Sequence, residues 1–334
     1  MAVADIACPL PRTVDRTGGR LLRVLVTGAS GWIGSAVVPE LIGAGHQVVG
    51  LARSGASAAA LTAAGVEVLH GTLDDLDTLA SAAADSDGVI HLAFKHDLMY
   101  AGDLEGAADA DRRAVETFAD ALEGSDRPFL IASGTLGLAV GRVATEEDGR
   151  GSDPAWAAFG PGPQTRMGTA QLVLSLASRG VRSSVVRLPP TNHGEGDNGF
   201  IPALIGMARA HGVSGYIGDG SSRWPAVHRL DSARLFRLAL EKASAGSALH
   251  AVADEGVQIR EIAEVIGRHL GLPVVSVSNE DAGTDFTFLA HFLALDSPAS
   301  SALTRELLDW EPAQPGLIDD LDQGHYFQSP ARAT

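Results

Sequence analysis

Eight consecutive residues constrain this chain more than any others: Thr27-Gly28-Ala29-Ser30-Gly31-Trp32-Ile33-Gly34. Residues 21–26 ahead of them are rich in Leu and Val and suit a short buried parallel strand. Behind them Ala36, Val37, Val38, Leu41 and Ile42 recur at helical spacing, and Gly43 and Gly45 end the run. Strand, glycine turn and helix in that order have a specific physical use. Gly28 permits a tight turn, Gly31 lets the backbone approach a pyrophosphate, and Gly34 lets the helix pack on the strand. The free N–H groups and the positive end of the helix then face phosphate. Gly28, Ser30, Gly31, Trp32, Ile33 and Gly34 are therefore candidate dinucleotide contacts, with the Trp32 ring packing near the cofactor. The bland alternative is a glycine-rich turn with no ligand, and the flanking strand and helix argue against it.

The rhythm continues. Strands are expected at 47–51, 66–69, 88–93, 128–132 and 183–188, with helices at 103–122 and 169–178. Alternation of this kind implies parallel βαβ units, hence an α/β fold with a Rossmann-type doubly wound sheet. After Leu188 the pattern changes. Residues 189–196 and 216–224 read as loops, 200–210 and 259–270 as helices, and Asp231 as the N-cap of a helix over 232–243. We expect a loose N-terminal extension (1–20), a nucleotide-binding domain (21–190 plus about 220–252) and a smaller C-terminal substrate lobe (about 191–219 and 253–330).

Composition removes several function classes. With 25 basic and 41 acidic residues in 334, the formal charge is −16, a field that repels nucleic acid and anionic membrane. A lone cysteine, Cys8, excludes a disulfide framework and a cysteine-rich zinc site. The histidines His46, His70, His91, His228 and His250 lack metal-ligand spacing, so no metal is expected. There is no run of about 18 apolar residues and no signal-peptide pattern at the start, so a cytoplasmic protein is expected.

The glycine octet resembles the TGxxGxxG motif of extended and atypical short-chain dehydrogenases/reductases, the epimerase/dehydratase-like group. Val89-Ile90-His91-Leu92-Ala93 is similar to that family's fourth strand. Arg187-Leu188-Pro189 with His193-Gly194 is similar to its RPxxxYG stretch, Val227-His228-Arg229-Leu230-Asp231 to its VHVxD segment, and Leu308-Asp309-Trp310-Glu311-Pro312 to its C-terminal LGWxP. The matches fall in order over roughly residues 22–315. The resemblance implies a nicotinamide cofactor crossing the carboxyl ends of the strands. Contacts are then expected from Thr72 and Leu73 near the adenine, from Leu92, Ala93, Phe94 and Lys95 after strand four, and from Arg166 and Pro189. The resemblance also implies a homodimer paired through the helices over 103–122 and 169–178. Ala107, Ala110, Ala114 and Phe118 form a stripe that would meet the partner, or else its own sheet.

Cofactor choice is read at the end of the second strand, where an NAD enzyme places a carboxylate for the ribose hydroxyls. Ala52-Arg53-Ser54 stands there instead. An arginine suits a 2′-phosphate and Ser54 adds a hydroxyl, so NADP(H) is expected. An exposed surface arginine is the alternative.

The resemblance breaks at the chemistry. The family's hydride-transferring members use Ser or Thr with Tyr-x-x-x-Lys. Here the tyrosine slot falls within Pro161-Gly162-Pro163 and the lysine slot within Thr165-Arg166-Met167. Tyr100, Tyr216 and Tyr326 lie elsewhere, and the two lysines, Lys95 and Lys242, do not follow them by four. Ser133 and Thr135 occupy the place of the family's hydroxyl. His193, at the tyrosine position of RPxxxYG, is the candidate proton carrier. Lys95 or Arg166 would hold the ribose. Phe286, Phe288, His291 and Phe292 read as lobe core. The expected function is an NADP(H)-dependent carbonyl reductase or alcohol dehydrogenase acting on a small to medium substrate. The alternatives are an NADP(H)-binding sensor without turnover and a sugar-nucleotide epimerase/dehydratase.

Overall fold

Alternate residues of the first strand settle where the core lies. In β1 (Arg23–Thr27), Val24 and Val26 enter one apolar layer with Val37, Leu41 and Phe236. Leu25, between them, enters a second layer with Phe118, Phe129 and Val173. A strand buried on both faces must sit in the middle of a sheet covered by helices on both sides. The computed structural model of the chain, which describes residues 21–151, 160–278, 280 and 289–328, has that architecture.

Seven strands form the central sheet: β1, β2 (Gln47–Ala52), β3 (Glu67–His70), β4 (Gly88–His91), β5 (Pro128–Gly134), β6 (Arg182–Leu188) and β10 (Ser247–His250). Their order is β10-β6-β5-β4-β1-β2-β3 and every neighbouring pair is parallel. This is the doubly wound, Rossmann-type sheet expected from the sequence. The order reverses beside β1, and α/β sheets bind ligands in such a crevice at the strands' carboxyl ends. The connecting helices are α1 (Gly34–Gly43), α2 (Gly55–Ala63), α3 (Leu76–Ala84), α4 (His96–Tyr100), α5 (Leu104–Leu122) and α6 (Pro161–Ser175). The stripe Ala107, Ala110, Ala114, Phe118 is at most 1% exposed in the single chain. It is buried within its own chain, Ala114 and Phe118 in the layer that covers the sheet, so it is not a surface offered to a partner.

The remaining elements are β7 (Thr191–His193), α7 (Phe200–His211), β8 (Ser214–Ile217), β9 (Arg223–His228), α8 (Arg229–Lys242), β11 (Asp254–Gln258), α9 (Ile259–Leu270), β12 (Val274–Val277), α10 (Leu289–Leu293), α11 (Ala302–Leu308) and α12 (Leu317–Asp322). Several expectations are corrected here. Residues 191–193 are a strand, not a loop, because β7 pairs with β9. The stretch 216–224 likewise includes parts of β8 and β9 around a short turn. β9 belongs to a small sheet ordered β11-β9-β7, not to the seven-stranded sheet. Leu308 and Trp310, expected in the lobe, pack in the main core with Phe236. Asp231 lies inside α8 and accepts from the backbone N–H groups of Ala313 and Gln314, while His228 is the N-cap. α6 starts eight residues earlier than periodicity suggested, with Pro161 suited to its first turn. Phe292 joins the lobe core as expected; residues 1–20, Phe286, Phe288 and the His291 side chain lie outside the described set.

A buried polar cluster ties the sheet to the C-terminal segment. Arg187, 2% exposed, donates to the Asp148 carbonyl at 2.7 Å and to His250 Nε2 at 3.2 Å. His250 Nδ1–H in turn donates to the Ser300 carbonyl at 2.7 Å. Both ring nitrogens are satisfied by the neutral imidazole, since arginine can only donate. Burial, joined by the Arg187 charge, lowers the His250 pKa to about 4. In the unfolded chain the ring takes up its proton near pH 6.5, while the folded protein resists until about 4. This contribution is therefore complete above pH ~6.5 and is lost as the pH falls, by up to about 1.4 kcal/mol per unit. We expect His250→Gln to flatten unfolding free energy against pH over that window. Denaturant titrations at several pH values check this, and an unchanged slope refutes it.

Candidate cofactor and substrate cleft

The glycine turn is built by close backbone packing. Gly28 has φ +67°, and a Cβ there would lie 2.7 Å from the Ala93 nitrogen. The Gly31 N–H donates to the Gly28 carbonyl at 2.9 Å. A Cβ on Gly34 would fall onto that carbonyl oxygen, at 2.1 Å. Gly34 is thus required by the turn itself rather than by helix-on-strand packing. Ser30 and Gly31 are exposed, Trp32 and Ile33 half-buried. No side chain caps the N-terminus of α1 and no acid occupies its first turn, so its positive end faces the turn uncompensated, although the Ser35 and Ala36 N–H groups already donate to the Gly31 and Ile33 carbonyls.

The β4 side of the turn is held by a buried relay. Thr27 Oγ1 accepts from the backbone N–H groups of Leu92 and Ala93, each at 3.2 Å, and lies 2.6 Å from His91 Nδ1. His91 Nε2 is 3.1 Å from Asp111 Oδ1, and Asp111 Oδ2 is 3.5 Å from Arg166 Nη1. The Arg166 guanidinium lies 4.1 Å from the centre of the Phe94 ring and donates to the Ala132 carbonyl at 3.4 Å. Burial pushes the Asp111 carboxyl up, but the His91 hydrogen bond and the Arg166 charge outweigh it and hold it below the ordinary range.

At the β2–β3 side, the Arg53 side chain is 68% exposed and 3.3 Å from Asp97 Oδ2. Ser54 is the N-cap of α2, its hydroxyl bonded to Ser57 in a capping box. Thr72 donates through its N–H and hydroxyl to Asp75, and Leu73 is buried. Lys95 pairs with Asp74 at 2.5 Å. The lysine is thus engaged with the loop after β3, whereas Arg166, the other cation offered for the nicotinamide ribose, faces β5 through the Ala132 carbonyl.

At the β5–β6 side, Ser133 is half-buried and makes no side-chain hydrogen bond with another described residue. Thr135 is fully buried and its hydroxyl has no partner. Pro189 is buried behind them. His193 departs from what its motif position implied. Its side chain is 0% exposed and its Nδ1 is 2.8 Å from Asp320 Oδ2, so it has no open path to a substrate. The His325 ring holds the other Asp320 oxygen at 3.1 Å. Tyr326 donates from its hydroxyl to Asp197 at 3.0 Å, and that hydroxyl accepts from the Gly194 N–H at 3.0 Å. Trp32 closes the wall from the other side, donating from Nε1 to the Asn192 carbonyl at 2.8 Å with the Arg229 guanidinium 4.3 Å from the ring centre.

Sequence reasoning missed Asp111, Asp197, Asp320 and Tyr326. For Asp111 a signal existed: it interrupts the apolar stripe of α5 between Ala107, Ala110 and Ala114, and a carboxylate on a buried face needs a buried partner. Asp197, Asp320 and Tyr326 carry no local signal for their place in the wall, because the contacts Asp197–Tyr326, Asp320–His193 and Tyr326–Gly194 each span more than a hundred residues. Among the described residues no group of three or more His, Cys, Asp or Glu side chains is placed to hold a metal ion, and no helix is long and apolar enough to cross a membrane.

The sequence profile of the NAD dependent epimerase/dehydratase family matches residues 24–252. An uncharacterised protein of Schizosaccharomyces pombe is 47% identical over 307 residues, covering 92% of this chain and all of that protein. The 2'-dehydrokanamycin reductase of Streptomyces kanamyceticus is 31% identical over 302 residues, 86% of this chain and 78% of that enzyme. Among solved structures, DesIV, a dTDP-glucose 4,6-dehydratase from Streptomyces venezuelae with NAD and TYD bound, superposes with a TM-score of 0.72 at 21% identity, covering 91% of this chain and 96% of that one.

Proposed function

Because this chain belongs to the NAD-dependent epimerase/dehydratase family, a group of NAD(P)-dependent oxidoreductase and epimerase–dehydratase-type enzymes, we propose that it is an NADP(H)-dependent oxidoreductase interconverting a carbonyl and an alcohol on a small to medium organic substrate. Arg53 carries the cofactor reading. It directly follows β2, where a carboxylate would select NAD, it is largely exposed, and its ion pair with Asp97 is itself exposed and so weak. A 2′-phosphate offers a doubly charged competitor for the same guanidinium. The reductase activity of the Streptomyces kanamyceticus relative supports the reductase reading over nucleotide-sugar chemistry, while the family profile and the α1 terminus fit both.

When bound, the nicotinamide supplies or accepts the hydride. This chain's residues do the rest. Backbone N–H groups of the glycine turn bind the pyrophosphate, Arg53 binds the 2′-phosphate, and the Ser133 hydroxyl holds the substrate oxygen beside Arg166. With proline and glycine in the tyrosine slot and His193 sealed behind Asp320, water at the mouth of the cleft exchanges the proton.

Arg53→Asp is expected to weaken NADPH binding about ten- to hundredfold, through one lost charge-assisted bond of about 1.5–3 kcal/mol and added repulsion. Fluorescence titration with NADPH and NADH measures it. Equal wild-type affinity for the two refutes the NADP reading. One observation favours a second reading, an NADP(H)-binding sensor without turnover: α6 begins Pro161-Gly162-Pro163, which offers no ionisable group. Tight NADPH binding with no turnover on a broad carbonyl and alcohol panel would put the sensor ahead.

A further inference from the structure

Two buried ionisable groups lie directly beneath the cleft and take no part in the reaction above: His91, 2% exposed, and Asp111, 6% exposed. Their proton directions can be worked out. Thr27 Oγ1 has one proton and two lone pairs, and it accepts the Ala93 N–H while sharing that of Leu92. Its own proton therefore goes to His91 Nδ1, at 2.6 Å. That nitrogen must be an acceptor, which leaves the ring proton on Nε2, pointing at Asp111 Oδ1. The second carboxylate oxygen faces Arg166. The start of the glycine turn, the end of β4 and the guanidinium on α6 are thus joined by one carboxylate.

Arg166 is left with unused capacity. A guanidinium carries five N–H donors, and the partners seen are a carbonyl at 3.4 Å, the carboxylate at 3.5 Å and the face of Phe94. Nη1 is buried without a hydrogen bond, and the side chain as a whole is 31% exposed. The carbonyl it touches belongs to Ala132, next in sequence to Ser133. Spare, oriented donors at that place suit the hydroxyls of a ribose.

We infer that Asp111 is a positioning residue that fixes the Arg166 guanidinium against the nicotinamide-side ribose while anchoring, through His91, the glycine turn that takes the pyrophosphate. This assignment rests on the NADP(H) reading. Asp111→Asn tests it cleanly, because the amide oxygen still accepts from His91 Nε2–H while the charge that holds Arg166 is gone.

The experiment titrates wild type, Asp111→Asn, Arg166→Gln, Arg166→Lys and the Asp111→Asn/Arg166→Gln double variant with two probes. NADPH carries both halves of the cofactor, and 2′,5′-ADP carries only the adenosine half. Asp111→Asn and Arg166→Gln should each weaken NADPH binding by about tenfold or more and leave 2′,5′-ADP within twofold of wild type. Arg166→Lys should fall between, since it keeps the charge and loses the planar fork. The double variant should be no weaker than Arg166→Gln alone, because the two residues act as one unit. Wild-type NADPH affinity in Arg166→Gln overturns the inference, as do additive losses in the double variant or an equal loss for both probes. Should Asp111→Asn fail to fold, the two Arg166 variants decide the matter, their side chain being partly exposed. Wild-type protein that binds neither probe sinks the NADP(H) reading and this inference with it; wild type that binds both, with unaffected variants, sinks this inference alone.

Discussion

Gly34→Ala is expected to abolish NADPH binding and to lower thermal stability sharply. The new methyl carbon would stand 2.1 Å from the Gly28 carbonyl oxygen and 2.8 Å from two backbone atoms of Ala29. No side chain is available to swing aside, so the backbone of the turn must move. Ordinary overpacking in a core costs about 1–3 kcal/mol, and a clash with backbone at this distance belongs at or above the top of that range. The turn cannot relax towards β4 either, because Gly28 already packs against Leu92 and Ala93. Gly43→Ala is the matched control. Nothing lies within 4 Å of its Cβ position at the exposed end of α1, and alanine there is expected to be neutral or to stabilise by up to about 1 kcal/mol. Thermal unfolding and NADPH titration of the two variants side by side decide the point. If Gly34→Ala melts and binds like Gly43→Ala, the geometry of the turn is not what holds the cofactor.

His193→Phe is expected to act on stability before chemistry. Removing the imidazole leaves the Asp320 carboxylate, 3% exposed, without one of its two histidine partners. Breaking one side of a buried pair typically costs about 3–5 kcal/mol, whereas replacing both sides with apolar groups is often neutral. The double variant His193→Phe/Asp320→Leu should therefore recover much of what the single one loses, as read from urea midpoints. A different outcome would restore the chemical role expected from the sequence. If His193→Phe keeps wild-type stability yet loses about 10²–10⁴ in turnover, the imidazole carries a proton after all.

The parts of the molecule legible in the sequence are those in which neighbours in the chain are neighbours in space. The octet 27–34 gave strand, turn and helix together, and α9 runs over Ile259–Leu270 with Gly271 in the left-handed conformation beyond it, as the periodicity and the glycine required. β7 was invisible because three residues carry no period, and it exists only through its pairing with β9, some 35 positions later. His193 was read from its motif position as a group facing the cofactor, but Asp320 draws it into the interior. The alanine stripe of α5 illustrates the same limit: spacing shows that a face is buried and not by what. Composition and motif located the cleft, and only the fold separated Arg166, which faces Ser133's strand, from Lys95, which turns to Asp74.

The contacts of the C-terminal segment also set an order of events. Asp320 reaches back 127 residues to His193, and Tyr326 reaches back 132 residues to Gly194. During synthesis the glycine turn and first four strands leave the ribosome early, and domains begin to fold as their chain emerges. The wall opposite the turn is not closed until the segment carrying Asp320 and Tyr326 has been made. A nascent chain thus holds the glycine turn before the wall opposite it is complete. A chain lacking residues 317–328 would leave the imidazole of His193 with its carboxylate missing.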